Sequence, residues 1–589
     1  MKLVDLGGCE ITDKFEIGNV RGAWAYWNGS AQWRITKTVD RVLLIEGQPD
    51  RFPGEGEPID RWLDGRSGSF RGFEVVQSNG SALPRVRVFT DPLCTRPVYL
   101  LITPDRVCFS DKLATVALNC SAFTEPDWGG LLESAALGSL YSHKTTLKEA
   151  LWLPPGEAME FEGRTLVRRW RNPLPADGSL SEDEVRRHPA ETLQFALTKA
   201  IQETWTDPEM RLLLSGGLDS RILLALAPGK RKALTLETYL DETEIAKKVG
   251  AVSGAELTIV PLQDFEYPMR WSYLATGAMH DSRFVNHVGL VEGWRKRGIL
   301  GITHGYFHNT MYRGWTAKKF ERFPNTGSIL FESMGRKAYY LDRYGCMPES
   351  LPRRLYEMLS DEGKATLKSQ LGDLADSLQP VIVDGYDLTF ERRLLDFVSR
   401  QVYFGSMLGW YEGVDVASPV FRPPLWTWYA FSRPKDRDRD WAIREVFLKL
   451  DHPAAKLPDA NTGRPVAHLR VDWRDRVRNQ FWYPALRTAS QRIFPKTPVT
   501  TEGGVGFGSR LREPRILAAM EEAIEQLSDY TMFDDAKIKS ALGAYRSGDN
   551  GLVDPLCALT AVGQWLQLVR TPELLTSNVR VFANVSVAV

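Results

Sequence analysis

Hydrophobic and polar positions follow three successive patterns along the chain. Up to about residue 175, short runs rich in β-branched and aromatic residues, such as RVRVFTD and PVYLLITPDRVCFS, are separated by Gly, Asn, Asp and Pro turns, which predicts β-strands. A middle region then alternates apolar runs with amphipathic runs. From about Ser328 onward the pattern is mainly helical.

In the middle region the predicted strands are RLLLS, KALTLETYL, ELTIVPL and ILGITHGY, and the predicted helices between them are DSRILLALA, DETEIAKKVGAVSG and FVNHVGLVEGWRKRG. A longer helical run, SEDEVRRHPAETLQFALTKAIQETW, precedes them, with Ser181 and Glu184 spaced as a capping box. Strands that alternate with helices of this length predict βαβ units and a parallel sheet.

The length of 589 residues exceeds the usual size of one domain. We predict a multidomain protein of the α/β and α+β classes. A β-rich domain covers residues 1–175, an α/β domain with a helical C-terminal part covers 176–470, and a helical C-terminal extension covers 471–589. The segment NPLPADGSLS is a linker between the first two domains, and the Gly-rich segment 494–514 is either a mobile loop or an ordered turn.

Charge and composition narrow the class of protein. Lys+Arg and Asp+Glu both number 74, so the net charge is zero, and we expect no nucleic-acid partner. No run approaches 18 apolar residues, so no membrane span is expected, and MKLVDLGGCEITDKFE lacks the apolar segment of a signal peptide. The six cysteines show no CxxC spacing and are expected to be reduced. These features predict a cytoplasmic enzyme.

One strand–turn–helix stretch, MRLLLSGGLDSRILLALAP, carries candidate chemistry. The N–H groups that open a helix attract anions, and glycines allow close approach and unusual dihedrals. Asp219 would repel a bare phosphate, but it can ligate a Mg²⁺ ion that bridges to phosphates. We predict that the loop holds pyrophosphate and Mg²⁺; a tight turn without a ligand is the alternative. The predicted binding residues are Leu214, Ser215, Gly216, Gly217, Leu218, Asp219 and Ser220.

The run LLLSGGLDSRILLAL resembles the pyrophosphate loop of the ATP pyrophosphatases, in particular the asparagine synthetase (class B) and β-lactam synthetase group. Later segments, YLDETEIAKKVGAVSGAELTIVPL, VDVASPVFRPPLWTWYAFSRP and IREVFLKLDHPAAKLPDANTGRP, resemble that group in family order. Upstream, FTDPLCTRPVYLLITPDRVCFSDKLATVA and WLPPGEAMEFEGRTLVRRWRNP are similar to the second half of its class II glutamine amidotransferase domain. The resemblance implies an Ntn-type β-sandwich followed by an ATP pyrophosphatase (adenine nucleotide α-hydrolase-like) domain.

The resemblance also implies ATP and Mg²⁺ and a two-step reaction. A substrate carboxylate attacks the α-phosphate of ATP, and pyrophosphate leaves. An amine or ammonia then displaces AMP from the acyl-adenylate and forms an amide. In such a reaction the protein positions the groups and neutralises charge on the leaving pyrophosphate.

Two departures from the family pattern concern nitrogen supply and metal binding. The family's glutaminase uses a cysteine at the mature N-terminus, whereas the first cysteine here is Cys9, so we expect a degenerate domain without glutamine hydrolysis. In the stretch GYFHN, which begins at Gly305, Asn309 replaces the aspartate that makes the family's second magnesium contact. An amide oxygen still ligates Mg²⁺, with weaker attraction.

Tyr306 falls where β-lactam synthetase has its catalytic tyrosine, which implies a role in deprotonating the amine; a packed aromatic side chain is the alternative. Arg464 lies nearest in register to the family's active-site lysine and would supply a permanent positive charge with different geometry. Lys456 comes too early in this register, and Lys496 is a remote alternative.

Three further sets of polar residues are ambiguous. His304 and His308 are four residues apart but lack a third metal ligand, so they are expected to be polar loop residues. Asp241 and Glu242 open a helix, where carboxylates also act as ordinary caps. Arg221 contacts a phosphate or carboxylate, or points to solvent.

We therefore expect an AMP-forming C–N ligase that joins a small-molecule or peptide carboxylate to an amine or ammonia, without intrinsic glutaminase activity. Specialised biosynthesis of a natural product, peptide or polysaccharide is the expected setting, with a carrier or pathway protein as a candidate partner. Two alternatives stay open: a catalytically weakened relative that binds nucleotide or a partner, and a glutamine-dependent asparagine synthase.

Overall fold

The computed structural model describes residues 11–17, 20–26, 32–77, 83–104, 106–119, 125–142, 144–237, 242–261, 277–279, 293–314, 318–319, 350–377, 379, 381–396, 414–459, 465–466, 512–571 and 583–588. Over these residues the protein is mixed α/β, with antiparallel sheets in its N-terminal part and a parallel sheet later in the chain. The predicted fold class is confirmed at that level.

The described strands are β1 (Ile11–Ile17), β2 (Val20–Tyr26), β3 (Trp33–Lys37), β4 (Arg41–Pro49), β5 (Gly68–Val76), β6 (Arg85–Thr90), β7 (Tyr99–Ile102), β8 (Arg106–Ser110), β9 (Leu151–Trp152), β10 (Glu157–Glu162), β11 (Thr165–Arg171), β12 (Arg211–Leu213), β13 (Lys232–Leu236), β14 (Glu256–Val260), β15 (Gly301–Thr303), β16 (Lys318–Lys319), β17 (Ile382–Val383), β18 (Tyr386–Asp387), β19 (Asp415–Ala417) and β20 (Ala583–Ala588).

The described α-helices are α1 (Ile59–Leu63), α2 (Leu113–Asn119), α3 (Trp128–Leu137), α4 (Glu182–Arg187), α5 (Pro189–Thr204), α6 (Leu218–Leu226), α7 (Glu242–Val252), α8 (His308–Met311), α9 (Ser350–Met358), α10 (Asp361–Ser377), α11 (Thr389–Asp396), α12 (Pro423–Phe431), α13 (Pro434–Arg437), α14 (Trp441–Leu450), α15 (Pro514–Glu525), α16 (Asp535–Arg546) and α17 (Val553–Arg570).

Two six-stranded antiparallel sheets stack in the N-terminal part, with orders β1-β2-β20-β8-β7-β9 and β11-β10-β6-β5-β4-β3. Strand β4 shows how the sequence builds this stack. Val42 and Leu44 pack into the core between the sheets, whereas Leu43 and Ile45 pack around Trp62 of α1 on the other side. Since successive side chains of a strand point to opposite faces, the second sheet is a middle layer buried on both faces.

Helices from distant parts of the chain cover the outer face of the first sheet. Helices α9, α10, α15, α16 and α17 pack with α2 and α3 over Tyr99, Leu101 and Cys108. Strand β20 pairs with β2 and β8 within that sheet. The described end of the predicted C-terminal extension therefore packs against the N-terminal part, and the mainly helical pattern after Ser328 did not predict β20.

The parallel sheet has the order β14-β13-β12-β15-β19, and each neighbouring pair is parallel. The four strands expected in the middle region are confirmed as β12 to β15. Numbered along the chain, the order is 3-2-1-4-5, so the direction of winding reverses between β12 and β15. Helices that follow these strands bury their apolar faces in the core around Leu212, Leu234 and Ile302.

Several local predictions can be compared with the structure directly. The capping box of Ser181 and Glu184 is present, but the long helix predicted after it is two helices, α4 and α5, which meet at His188. A residue before proline is disfavoured in helical conformation, and Pro189 follows His188.

Two predicted segments lie mainly outside the described residues. Of the helix predicted over 284–298, residues 293–296 are helical and those before 293 are not described. Of the Gly-rich segment 494–514, only residues 512–514 are described. None of the helices that the structure describes has the length and hydropathy needed to cross a membrane.

Candidate functional site

The reversal of the parallel sheet brings two sequence-predicted stretches together. Strand β12 leads through Leu214 and Ser215 into α6, and its neighbour β15 leads into His304, Gly305 and Tyr306. In open α/β sheets, ligands bind beyond the carboxyl ends of the strands at the point where the strand order reverses. The SGGLDS loop therefore lies where the topology favours a ligand.

Hydrogen bonds within the loop fix its shape. The Ser215 N–H donates to the Ser220 Oγ over 3.1 Å, the two serine hydroxyls lie 3.2 Å apart, and the Gly217 N–H donates to the Ser215 Oγ over 3.2 Å. Ser220 is buried and Ser215 is exposed. Ser220 thus braces the loop, while Ser215 faces the position that a ligand would occupy.

Two details differ from the expectation for this loop. Gly217 is the N-cap of α6 with a φ of −83°, which other residues also adopt, so unusual dihedrals do not explain this glycine. Leu214 and Leu218 are buried in the core of the parallel sheet. These two residues can contact a ligand only through their backbone groups.

Arg221 neither points to solvent nor faces the ligand position, contrary to both predicted roles. Its side chain is fully buried and donates to the carbonyl oxygens of Ala454, Leu457, Pro458 and Gly216 over 2.8–3.0 Å. A guanidinium has five donors in a fixed plane, which suits it to collecting several carbonyl groups. Arg221 therefore ties the loop to residues 454–458.

Gly305 lies directly against Asp219. A Cβ atom built on Gly305 would be 2.8 Å from the carbonyl carbon of Asp219 and 2.9 Å from its Cβ. These separations are shorter than normal van der Waals contact, so a side chain here would displace the loop. The missing side chain of Gly305 allows the chain after β15 to approach the first turn of α6, and its predicted contact with pyrophosphate stays a prediction.

Asp219 is the carboxylate at the centre of the site. Its Oδ2 accepts a hydrogen bond from Nη1 of Arg313 over 3.0 Å, and its Oδ1 is buried without a hydrogen-bond partner among the described residues. Burial raises the pKa of Asp219 to about 6, although the charge of Arg313 acts in the opposite direction. A buried acceptor without a partner is costly and is unusual in a folded protein.

Arg313 joins Asp219 to a distant part of the chain. Its Nε donates to Oδ1 of Asp440 over 2.5 Å, across 127 residues of sequence. Gly314 adopts a φ of +61°, and a Cβ there would be 2.9 Å from the carbonyl oxygen of Arg437. Only glycine fits this close approach at low cost, and the approach holds Arg313 beside the turn that carries Asp440.

Tyr306 lies between the loop and the start of α7. Burial, with a contribution from the charge of Glu242, raises the pKa of Tyr306 to about 12. The phenol is therefore protonated at neutral pH and can donate a hydrogen bond, whereas a general base works best with a pKa near the operating pH. Buried Asp459 acts electrostatically on both Glu242 and Asp219, whose pKa values it raises.

The segment after Tyr306 is buried and strained. Phe307 has a φ of +70°, which is rare for a bulky residue and recurs at functional sites. His304 and His308 are fully buried, and burial lowers the pKa of each to about 3. His304 lies in the loop after β15, as expected, whereas His308 begins α8, and both are buried as neutral groups rather than exposed.

Further buried atoms near Asp219 lack partners in the part of the chain that the structure describes. They belong to two residues and number three: the hydroxyl oxygen of Tyr312 and both ring nitrogens of His308, and the two rings lie 5.1 Å apart. Burial and the charge of Asp219 raise the pKa of Tyr312. Together with Oδ1 of Asp219, these atoms make the site polar but incompletely hydrogen-bonded.

Several predicted residues lie outside the described part of the chain. They are Cys9, Asp241, Arg464, Lys496 and the side chain of Asn309. The backbone of Asn309 belongs to α8, which follows the site directly. Lys456 is described; it is 76% exposed, and its Nζ lies 3.9 Å from Oδ1 of Asp451. The predictions for Arg464 and Asn309 stay predictions.

The residues present fit a Mg²⁺–phosphate group better than a metal ion held by protein alone. In the described ranges there is no cluster of three or more His, Cys, Asp or Glu side chains arranged to hold a metal ion. Magnesium, however, is commonly held by one or two carboxylates together with substrate phosphates. The unpaired Oδ1 of Asp219 provides one such ligand, beside the N-terminus of α6, which attracts anions.

Comparison with models of known protein families and with curated proteins found no match to this chain.

Sequence reasoning missed three charged residues of the site: Arg313, Asp440 and Asp459. Arg313 stands four positions after Asn309, in the stretch that also contains His304, Tyr306 and His308. Asp440 lies in the charge-rich run PKDRDRDW, a pattern that usually indicates a solvated surface. No local signal connects these residues to the loop, because their contacts are made across the fold.

Proposed function

We propose that this protein is an ATP-dependent, AMP-forming amide ligase. The observation that carries the proposal is the position of Asp219. It lies in a strand–loop–helix turn at the reversal of a parallel sheet, with a buried carboxylate oxygen that has no partner among the described residues. Such an arrangement suits a Mg²⁺–pyrophosphate group, which supplies the missing partner and the negative charge favoured at a helix N-terminus.

The proposed reaction has two steps. A carboxylate oxygen of the substrate bonds to the α-phosphorus of ATP while the bond to the β-phosphate's bridging oxygen breaks, which releases pyrophosphate. An amine nitrogen then bonds to the acyl carbon, AMP leaves with the oxygen that carried the acyl group, and the amine loses a proton. The protein contributes orientation and charge stabilisation to both steps.

Each residue of the site has a role in this proposal. The N–H groups at the start of α6 and the exposed hydroxyl of Ser215 bind pyrophosphate oxygens, and Asp219 ligates Mg²⁺. The protonated phenol of Tyr306 orients a substrate by donating a hydrogen bond. Arg464 and Asn309 keep their proposed roles as a cation near the α-phosphate and a weak metal ligand.

Two features of the architecture support the finer fold assignment. The strand order 3-2-1-4-5 of the parallel sheet supports an ATP pyrophosphatase-type domain. In the N-terminal part, two stacked antiparallel sheets lie between helix layers, which supports a degenerate amidotransferase-like sandwich. We propose that this sandwich has no glutaminase activity and that nitrogen comes from an amine or ammonia.

We also propose a cytoplasmic setting, where ATP is available and where thiols such as those of Cys94, Cys108 and Cys557 remain reduced; these three are free cysteines in the structure. The substrates would be a small-molecule or peptide carboxylate and an amine of a specialised pathway, with a carrier or pathway protein as the proposed partner.

The first experiment is calorimetric binding of Mg²⁺-ATP, followed by ATP–pyrophosphate exchange across a panel of amino acids, peptides and other carboxylates. Asp219→Ala should abolish both signals. The matched control Asp183→Ala, which removes a carboxylate that is 79% exposed on α4, should change neither. Absence of Mg²⁺-ATP binding in the wild-type protein would contradict the proposal.

A second candidate is a nucleotide-binding protein without ligase activity. The ion pair between Arg313 and Asp219 favours it, because the cation already engages one of the two carboxylate oxygens. Binding of Mg²⁺-ATP that depends on Asp219, with no carboxylate-dependent exchange and no release of ammonia from glutamine, would support this candidate over the ligase.

A further inference from the structure

Arg313 is the central cation of the site, and the proposed reaction gives it no role. Its side chain is 18% exposed, so it is largely buried while keeping an accessible part. It contacts two carboxylates from different parts of the fold, Asp219 and Asp440. A surface ion pair would contribute little to stability, but a largely buried cation shared between two carboxylates is costly to assemble.

The two carboxylates use different edges of the guanidinium. Nε and Nη2 face Asp440 over 2.5 and 3.5 Å, whereas Nη1 faces Oδ2 of Asp219 over 3.0 Å. Of the five N–H donors of an arginine, these contacts use three. One N–H on each terminal nitrogen is therefore not accounted for by them, and this end of the guanidinium faces the loop carboxylate.

Asp440 holds the guanidinium of Arg313 in place. It adopts a φ of +61° at the start of α14, a conformation that aspartate tolerates better than most residues. Gly314, next to Arg313, approaches the carbonyl of Arg437 in the same turn. The contact with Asp440 thus persists even if Asp219 exchanges its partner.

The charges explain when such an exchange is favourable. Asp219, Asp440 and Arg313 together carry one net negative charge, which repels pyrophosphate. A Mg²⁺ ion at Asp219 changes the sum to one net positive charge and competes with Nη1 for the carboxylate. Nη1, freed from Asp219, and the remaining N–H of Nη2 would then match the geometry of two phosphate oxygens, which arginine binds bidentately.

Building on the proposed function, we propose that Arg313 is a pyrophosphate-binding residue. Asp440 holds its guanidinium, and its terminal nitrogens donate to the β- and γ-phosphate oxygens of Mg²⁺-ATP once the metal ion engages Asp219. Arg313 is then a second cation on the leaving group, in addition to Mg²⁺. Arg313 provides a positive charge at this position. The described residues that the sequence predicted for the site do not provide one.

The test is calorimetric titration of the full-length protein with pyrophosphate in the presence of excess Mg²⁺. Arg313→Met should raise the Kd by about 10–100-fold, the size expected for loss of hydrogen bonds to a charged group. Arg313→Lys, which keeps the charge but not the planar donors, should give a smaller increase. Asp440→Asn should also weaken binding, since the guanidinium loses its charged anchor.

The control is Arg444→Met, which removes an arginine from α14 that pairs with neighbouring Glu445 over 3.0 Å. It should bind Mg²⁺-pyrophosphate as the wild type does. If Arg313→Met unfolds, the graded effect of Arg313→Lys, measured on protein with an unchanged thermal midpoint, still tests the proposal.

Three outcomes separate this proposal from the one on which it rests. Wild-type binding that is weakened by the Arg313 variants supports both proposals. Wild-type binding that is unchanged in Arg313→Lys and Arg313→Met overturns the role of Arg313 and leaves the proposed function standing. Failure of the wild-type protein to bind either Mg²⁺-pyrophosphate or Mg²⁺-ATP overturns both.

Discussion

Two regions of the molecule bury charged side chains, and they differ in how completely those charges are paired. In the sandwich, Arg71 donates to Glu46 and Asp111, and Arg96 donates to Glu46 and Gln32, over 2.6–3.2 Å. A cavity of about 30 Å³ lies beside Glu46, Arg71 and Asp111 of this network. The sandwich network is closed.

At the end of the parallel sheet, by contrast, the charged network is open. Arg313 is paired with Asp219 and Asp440, yet Oδ1 of Asp219 and the hydroxyl of Tyr312 are buried without partners among the residues that the structure describes. Buried polar groups of native proteins are nearly always hydrogen-bonded, so each exception needs an explanation.

The difference teaches which buried charges serve the fold and which serve a ligand. The closed network extends through Gln32, whose amide donates to the Val416 carbonyl of β19 over 3.0 Å and so joins the sandwich to the parallel sheet. None of the buried side-chain nitrogen or oxygen atoms of Gln32, Glu46, Arg71, Arg96 and Asp111 lacks a hydrogen-bond partner. No described residue completes the open network, and the proposed Mg²⁺–phosphate group would do so.

The largest effect on stability is expected from breaking the closed network. Arg96→Met leaves the buried Glu46 with one cation fewer and Gln32 without its donor. We expect a loss of about 3–5 kcal/mol in the free energy of unfolding, measured by urea denaturation, because removing one partner from a buried ion-pair network is strongly destabilising. Arg71 still pairs with Glu46 in this variant. Arg85→Met, which removes an arginine that is 48% exposed, is the matched control and should change stability little. Equal effects of the two variants would show that the network does not hold the sandwich together.

The next largest effect is expected where the two sheet ends touch. In Gly305→Ala the new methyl group overlaps the backbone of Asp219, so we expect a loss of about 1–3 kcal/mol and weaker Mg²⁺-ATP binding. Urea denaturation and calorimetry measure the two effects. Gly372→Ala in α10 has open space around the added methyl and should instead stabilise by up to about 1 kcal/mol. Unchanged nucleotide binding in Gly305→Ala would contradict the role of this close approach.

The next prediction concerns Asp91 and asks whether complete hydrogen bonding offsets the free-energy cost of burying a carboxylate. It is fully buried and accepts hydrogen bonds from Phe70, Leu93 and Thr95, yet burial raises its pKa to about 6. A raised carboxyl pKa contributes stability at low pH that is lost as pH rises through about 6. Between pH 4 and 7.5 the wild type should therefore lose about 1–3 kcal/mol relative to Asp91→Asn.

That comparison needs urea denaturation of both proteins at several pH values. Asp64→Asn, at an exposed carboxylate of the same sandwich, corrects for the general effect of pH. A stability difference between the wild type and Asp91→Asn that does not vary with pH would show that the hydrogen bonds compensate the buried charge fully.

The smallest effect on stability, with the opposite sign, is expected at Asp219. Because burial raises the pKa of this carboxyl to about 6, Asp219→Asn should stabilise the protein at pH 7.5 by roughly 1 kcal/mol while Mg²⁺-ATP binding is lost. Urea denaturation and calorimetry on the same preparations check both parts. If Asp219→Asn were less stable than the wild type, Asp219 would contribute to folding stability, as the buried charges of the sandwich do.

Local features of the fold could be predicted because local pattern decides them. The strands β12 to β15, the capping box of Ser181 and Glu184, and the position of the SGGLDS loop between a strand and a helix follow from periodicity and turn residues over a few positions. The chemical interpretation of the loop also came from the sequence, and it stays a proposal.

Only the tertiary structure decided what surrounds that loop. The sheet order that places β15 beside β12, the burial of Arg221 under residues 454–458, and the pairing of Arg313 with Asp440 join positions that are distant in sequence. The periodicity of hydrophobic side chains predicts which face of a helix or strand is buried. It does not predict which other helix or strand covers that face. Those partners are chosen by packing and charge across the whole chain, so the sequence predicted the loop, and only the fold showed that Arg313 lies beside it.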